Sequence, residues 1–106
     1  MWILLAALKL LWTVEQTPYC AVFGSIYEVE EAYLADYIVY EELSEASAEV
    51  VVFEQSNRLY ADRSGMWYFV AEKDFAQHKV FFTDKKNQAH FSVYFTKFES
   101  FAGCTR

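Results

Sequence analysis

Residues that make tight turns are scarce in this chain, which has three glycines and one proline among 106 residues. Collagen, flexible linkers and β folds rich in ordinary hairpins depend on glycine, asparagine and proline, so the scarcity disfavours all three. Basic residues are also few, since nine Lys and Arg stand against fifteen Asp and Glu. The resulting net charge of −6 argues against a nucleic-acid-binding protein, which needs a basic face. Hydrophobic residues make up 55% of the chain, the proportion of a folded protein.

Only one long apolar run is present, and it extends from Trp2 to Trp12 with Lys9 inside it. Such a run is too short to cross a bilayer, which takes about 20 helical residues, so we do not expect a membrane-spanning protein. Its length suits a signal peptide, although no basic residue precedes it and no clean cleavage site follows. Residues 1–19 are interpreted as an export signal, an ordered N-terminal helix or a misassigned start. Residues 20–104 are predicted to form one domain, with 105–106 as its C-terminal end.

Two cysteines, Cys20 and Cys104, bracket nearly all of the chain after this apolar tail. A bridge between them would stabilise the fold by roughly 4 kcal/mol through loop closure. It requires an oxidising compartment and Cα atoms within about 7 Å. The bracketing positions and the export-like tail together favour a disulfide and a periplasmic or extracellular location. The alternative is two unrelated thiols in a cytoplasmic protein. Spacings typical of zinc sites are absent from the sequence.

The most regular feature of the sequence is a repeat of 13 residues. Alanine recurs six times at spacings of 13, 13, 15, 13 and 13, as Ala35, Ala48, Ala61, Ala76, Ala89 and Ala102. Eight residues before each alanine stands an aromatic residue, and these column aromatics are Tyr27, Tyr40, Phe53, Tyr68, Phe81 and Tyr94. Each column aromatic follows an apolar residue, in order Ile26, Val39, Val52, Trp67, Val80 and Val93.

Each repeat predicts a short strand followed by a polar turn. β-Branched and aromatic residues at the strand position suit a packed, pleated surface. The turn at residues 42–48 contains Ser, Glu and Ala but no Gly, which is typical of a single helical turn. A unit of this size cannot bury its own apolar face, so neighbouring units must stack. The predicted fold is mainly β, with six strand-plus-turn repeats in a solenoid-like arrangement. At this spacing the column aromatics are more typical of a core than of a ligand platform.

One irregular spacing, near residues 63–66, divides the repeats into two pseudo-symmetric halves. The residue after each column aromatic is acidic in the first half and aromatic in the second, as Glu28, Glu41, Glu54, Phe69, Phe82 and Phe95. Residues 1–53 carry nine acids and one base, whereas residues 54–106 carry six acids and eight bases. Opposite charge favours docking of the two halves about a pseudo-twofold axis, with Gly65 as a flexible junction. Drift in surface charge without a role is the alternative.

The repeat resembles a small bacterial family of unknown function that is built from 13-residue repeats. The resemblance rests on the strands at 38–40, 67–70 and 93–96, the junction at 64–67 and the closing segment at 98–104. It covers roughly residues 20–104 and implies a compact β ring with a seven-crossing torus knot. A closed winding would remove the two edges of an open solenoid and bring the cysteines together. In the first half an acid follows each repeat alanine, but Gln77, His90 and Gly103 depart from that pattern.

Enzyme motifs are missing from the sequence, which has no phosphate-binding loop, nucleophile elbow or metal-spaced histidine pair. The resemblance implies no activity, cofactor or catalytic residue. His78 and His90 are expected to be ordinary hydrogen-bonded or exposed side chains rather than metal ligands or partners of Cys104. A solvated rim is more typical than a cation site for the acidic residues Glu28, Glu30, Glu31, Glu41, Glu42 and Glu45.

The function predicted from these features is a non-catalytic, highly stable monomer. It would serve as a structural or binding module with an unidentified protein partner, without cofactor, metal or nucleic acid. The alternative is a ligand-binding domain for a sugar, a peptide or a cation. That domain would use the column aromatics or the acidic first half.

Overall fold

The structure, a computed structural model, describes residues 18–104 as short strands joined by single 3-10 turns. The strands are β1 Gly24–Glu28, β2 Tyr37–Glu41, β3 Val50–Glu54, β4 Met66–Phe69, β5 His78–Thr83, β6 Phe91–Thr96 and β7 Gly103–Cys104. The turns are η1 Pro18–Ala21, η2 Ala32–Leu34, η3 Glu45–Ser47, η4 Arg58–Tyr60, η5 Lys73–Phe75, η6 Lys86–Gln88 and η7 Glu99–Phe101. The mainly β, strand-plus-turn fold is therefore confirmed. Residues 1–17 of the predicted N-terminal tail and the C-terminal end at 105–106 lie outside the described residues, whereas Pro18 and Tyr19 of that tail belong to η1.

Each repeat alanine ends one of the 3-10 turns. Its backbone N–H donates to the carbonyl three residues earlier, as from Ala35 to Ala32 at 3.1 Å. The alanine itself is in extended backbone at five of the six turns, so each of these turns is a single one and a new strand can begin. Ala61 is the exception, with ψ at 63°, and it lies at the start of the irregular junction. Ala48 and Ala61 are buried and the other repeat alanines are half-buried, so a small side chain suits these positions.

Six parallel strands close into a ring in the order β1-β5-β2-β6-β3-β4, with β4 pairing again with β1. The short β7 adds to β3 in the antiparallel direction, with Val50 opposite Cys104. Closure pairs both edges of every strand in the ring, which removes the edges that an open solenoid would expose. The expectation of a closed ring is confirmed.

The two halves of the chain interleave strand by strand around this ring. Strands β1, β2 and β3 occupy every second place, and β4, β5 and β6 fill the places between them. Successive strands within a half therefore lie two places apart, whereas β3 and β4 are direct neighbours. A further step of two places would put β4 where β1 already lies. The irregular repeat spacing thus coincides with the one change of step, and the two halves intertwine rather than dock as separate bodies.

The core of the ring consists of the apolar residues that precede the column aromatics. All six are fully buried at 0% exposure: Ile26, Val39, Val52, Trp67, Val80 and Val93. Successive side chains of a strand point to opposite faces. The column aromatics therefore lie on the outer face of the ring, where all six are half-buried. The expectation that the column aromatics form the core is therefore wrong. The core lies one residue earlier in each repeat, because the pleat points that preceding residue inward.

Gly65 lies where the junction between the halves passes across the last strand. Its φ of +84° belongs to the left-handed region that L side chains rarely adopt. A Cβ at this position would meet the backbone nitrogen of Gly103 and, at 2.6 Å, the carbonyl oxygen of Val51. The residue is also buried. Gly65 is therefore required by a close crossing of backbones, and not only as the flexible junction expected from the sequence.

A disulfide joins Cys20 in η1 to Cys104 in β7, which confirms the predicted bridge. The two Cα atoms lie 5.4 Å apart, well inside the range that a disulfide spans. The bond fastens the first described turn to the strand that pairs with β3. It therefore ties the two ends of the repeat region to one side of the ring.

Candidate functional site

One end of the ring carries six inward-facing side chains in strict alternation. Because all six strands are parallel, their carboxyl ends meet at the same end of the ring. The residue two positions after each core residue points inward there, and these mouth residues are Glu28, Phe82, Glu41, Phe95, Glu54 and Phe69 in ring order. Glutamates come from the first half and phenylalanines from the second, so the interleaving of the halves produces the alternation. Together they line a cavity of about 430 Å³, which we call the mouth.

The mouth phenylalanines pack on one another and on the core. The ring centroids of Phe82 and Phe95 lie 6.0 Å apart, and those of Phe69 and Phe95 lie 6.3 Å apart. Trp67 in the layer below contacts Phe69 at 6.0 Å and Phe95 at 6.1 Å. All three phenylalanines are half-buried, whereas the three mouth glutamates are exposed. The mouth therefore combines a packed aromatic floor with carboxylates that reach solvent.

The opposite end of the ring is closed by η1 and the residues after it. The ring of Tyr19 stacks on that of Phe91 with centroids 4.7 Å apart. The backbone carbonyl of Val22 accepts a 2.8 Å hydrogen bond from Nε1 of the buried Trp67. Val22 itself is 1% exposed and packs in the core. We call η1 and the residues that follow it the plug, and the disulfide at Cys20 anchors it. The mouth is therefore the open end of the ring.

This closed ring of interleaved repeats agrees with a comparison to known families. The family model described as the 7(1) septoil knot domain matches residues 19–105. The chain belongs to this family. No curated protein and no solved structure matches it. The family description refers to the topology of the chain, so the function has to follow from the chemistry of the site.

The residues that follow the repeat alanines hold neighbouring strands of the septoil knot together. In each of four such positions the backbone N–H donates to the carbonyl of a residue on the adjacent strand, and the side chain accepts from the N–H of that same residue. The pairs are Asp36 with Lys79, Glu49 with Ser92, Gln77 with Ser25, and His90 with Ile38. Gln77 and His90, which break the acidic pattern of the sequence, therefore perform the same task, because the position requires an acceptor and not a charge.

Both histidines of the septoil knot pack against the ring of Tyr37. The centroid distances are 5.8 Å for His78 and 6.3 Å for His90. Nδ1 of His90 accepts the N–H of Ile38 at 2.9 Å, so this nitrogen is already occupied. Burial lowers the pKa of His78, and the charge of Asp36 opposes that shift. Within residues 18–104 no group of three or more His, Cys, Asp or Glu side chains could hold a metal ion.

The six acidic residues considered as a candidate cation site do not lie together in the structure. Glu28 and Glu41 line the mouth together with Glu54, which that candidate cluster had not included. Glu42 is buried instead, and its carboxylate pairs with Nζ of Lys86 at 2.6 Å. The hydrogen bond that Lys86 donates to this carboxylate raises the pKa of Lys86. The remaining three lie elsewhere, Glu30 and Glu31 beside a cavity that Lys73 and Lys79 also line, and Glu45 at the start of η3.

The mouth was visible in the sequence only as a repeat position. The alignment of three glutamates with three phenylalanines is a property of the 13-residue register. The ring order that alternates them depends on which strands pair, which the register does not contain. None of the helices in the part of the chain that the structure describes is long and apolar enough to cross a membrane.

Proposed function

We propose that this septoil knot domain is a non-catalytic, monomeric binding module whose mouth binds the cationic group of an organic ligand. The alternating ring of glutamates and phenylalanines carries this proposal. The negative face of an aromatic ring attracts a cation by about 0.5–2 kcal/mol, more when the site is dry. The exposed carboxylates of Glu28, Glu41 and Glu54 add a negative potential that draws the cation to the mouth.

An organic ammonium or guanidinium group suits this mouth better than a metal ion. Metal ions need several oxygen ligands at about 2.0–2.6 Å. Here a phenylalanine separates each glutamate from the next around the ring. A methylated or alkylated ammonium is larger, is less strongly hydrated and contacts aromatic faces directly. The cavity of about 430 Å³ is also within the size range of small-ligand sites.

The placement of the nucleophilic and basic side chains supports a non-catalytic role. The sulfur of Cys104 is held in the disulfide, so it cannot form a Cys–His nucleophile pair. Nδ1 of His90 is occupied by a backbone N–H, and both histidines pack against Tyr37. The mouth contains carboxylates and phenylalanines, and carboxylates alone could act there as acid or base.

The disulfide supports a function in an oxidising compartment, and we propose that the protein is exported. Disulfides persist outside the cytosol and are rare within it. The bond between Cys20 and Cys104 closes a sequence separation of 84 residues, which strongly restricts the unfolded chain. A closed ring without exposed edges and with tied ends suits a module that resists proteases outside the cell.

Titration with tetramethylammonium chloride, followed by amide chemical shifts in NMR, tests the mouth directly. We expect saturable shifts at the carboxyl ends of β1–β6 that sodium chloride at equal ionic strength does not produce. Glu41→Gln and Phe82→Leu should each weaken binding about two- to fivefold. Glu45→Gln, an exposed carboxylate on η3, is the matched control and should leave binding unchanged. Shifts that are equal in both salts, or that survive both mouth variants, would refute the proposal.

A further inference from the structure

A groove leaves the mouth between the turns that follow β3 and β4. These two strands are neighbours in the ring, so the chain segments leaving them run side by side. Their pairing is the shortest in the ring, with two register pairs where the others have three or four. The segments enclose a cavity of about 840 Å³ that shares Phe69 with the mouth. The groove therefore opens at the junction where the repeat spacing is irregular.

The groove continues along the outside of the ring towards its plugged end. A second cavity, of about 560 Å³, shares Arg58, Leu59 and Phe75 with the first and reaches Phe23. Leu59 is 73% exposed and Phe75 is 63% exposed, so the shared wall presents two large apolar side chains to solvent beside Arg58. The side chain of Asn57 accepts the N–H of Leu59 at 2.9 Å, which holds the turn carrying this wall. The groove is thus long and apolar at its centre.

Charge around the mouth and the groove selects a basic occupant. The mouth contributes three carboxylates, and Glu72 and Asp62 line the groove, against the single cation Arg58. The length favours an extended occupant over a small molecule, because the two cavities share Arg58, Leu59 and Phe75 and together run from Phe69 at the mouth to Phe23 towards the plugged end. An extended peptide fits both features, since its alternate side chains can supply a cation to the mouth and apolar groups to the wall.

We propose that the groove binds an extended peptide segment of a partner protein, with a Lys or Arg side chain in the mouth. Apolar side chains of the same segment pack on Leu59 and Phe75. This proposal rests on the cation-binding function of the mouth and adds the class of ligand that carries the cation. An oligosaccharide lacks the cation that the mouth attracts, so the charge favours a peptide.

The test uses fluorescein-labelled hexapeptides and fluorescence anisotropy with the full, oxidised chain. The probe is (Lys-Leu)3, and the two controls are (Gln-Leu)3, which lacks the cations, and (Lys-Ser)3, which lacks the apolar groups. We expect (Lys-Leu)3 to bind at least about tenfold more tightly than tetramethylammonium, because it adds apolar contact. Each control peptide should bind at least about threefold more weakly than (Lys-Leu)3.

Variants of the protein then locate the peptide. Leu59→Ser and Phe75→Ser should each weaken (Lys-Leu)3 at least about threefold while leaving tetramethylammonium binding unchanged. The matched control is Leu43→Ser, since Leu43 is 96% exposed on the turn after β2, and it should have no effect.

If tetramethylammonium binds but (Lys-Leu)3 gains nothing from its leucines, the groove proposal is overturned and the mouth proposal stands. If peptide binding depends on Leu59 but not on Glu41 while tetramethylammonium still binds, the peptide does not place its cation in the mouth and the groove proposal is overturned. If tetramethylammonium does not bind either, the mouth proposal fails. Saturable binding of cellohexaose in the groove without peptide binding would also overturn the proposal.

Discussion

Replacing Gly65 with alanine should destabilise the fold more than the same change at Gly103, where φ is also positive. A non-glycine residue in the left-handed region costs roughly 1–2 kcal/mol. The added methyl also meets the backbone of Val51 and Gly103, and overpacking of this kind costs about 1–3 kcal/mol. The expected loss is therefore about 2–5 kcal/mol, a large part of the stability of a small domain. Neither contact can yield by rotating a side chain, since both are with backbone atoms.

Gly103→Ala is the matched control for this experiment. Its φ of +145° is also unfavourable for alanine, yet a Cβ there would meet nothing within 4 Å. We expect a loss of about 1–2 kcal/mol from conformation alone. Urea unfolding of the oxidised proteins, followed by tryptophan fluorescence, to which the buried Trp67 contributes, gives both free energies by linear extrapolation. Equal losses in the two variants, with unchanged dependence on urea, would refute the role of the close backbone crossing.

Three further predictions concern the tied ends, the histidines and the strand clamps. Replacing both Cys20 and Cys104 with serine should lower the free energy of unfolding by about 4 kcal/mol in urea, and a loss below about 1 kcal/mol would contradict the restriction of the unfolded chain. Because burial lowers the pKa of His78, the folded state favours its neutral form. Stability from this group should be complete above about pH 6.5 and fall as the pH drops through the lowered pKa, and His78→Gln should flatten that part of the pH profile. Asp36→Ala should cost about 1 kcal/mol in thermal or urea unfolding because the N–H of Lys79 loses its side-chain acceptor, whereas Asp36→Asn should retain most of it.

The local features of the fold are predictable from the sequence because each of them lies within a single 13-residue repeat. A β-branched or aromatic strand, a polar turn and a closing alanine are all set by neighbours along the chain. The arrangement of strands around the ring was not, because it depends on contacts between distant residues. The clamp of Asp36 on Lys79 joins residues 43 apart, and that of Gln77 on Ser25 joins residues 52 apart. The 13-residue period is the same for every repeat, so it does not indicate which repeats are neighbours in the ring.

The candidate site is likewise predictable in its local features but not in the arrangement of its residues around the ring. The common repeat position of Glu28, Glu41 and Glu54 was visible, as was that of Phe69, Phe82 and Phe95. Their meeting in one mouth follows from parallel strands in a closed ring, and their alternation follows from the interleaving of the halves. The opposite charge of the halves becomes a mixture of charged and apolar side chains around a single opening. Repetition identifies a column of aromatic residues but does not reveal which face of the pleat that column occupies, so the sequence does not show that the column aromatics lie outside and the residues before them inside.

The disulfide has a topological consequence as well as an energetic one. It converts residues 20–104, nearly the whole of the region matched to the septoil knot family, into a covalently closed loop. A knot tied in a closed loop cannot be removed by any motion of the chain, however completely the ring unfolds. Reduction opens the loop, and an end can then withdraw through it. The oxidised chain therefore stays knotted in denaturant and can refold without threading an end through a loop. The bond between Cys20 and Cys104 thus preserves the topology of the fold in the unfolded chain.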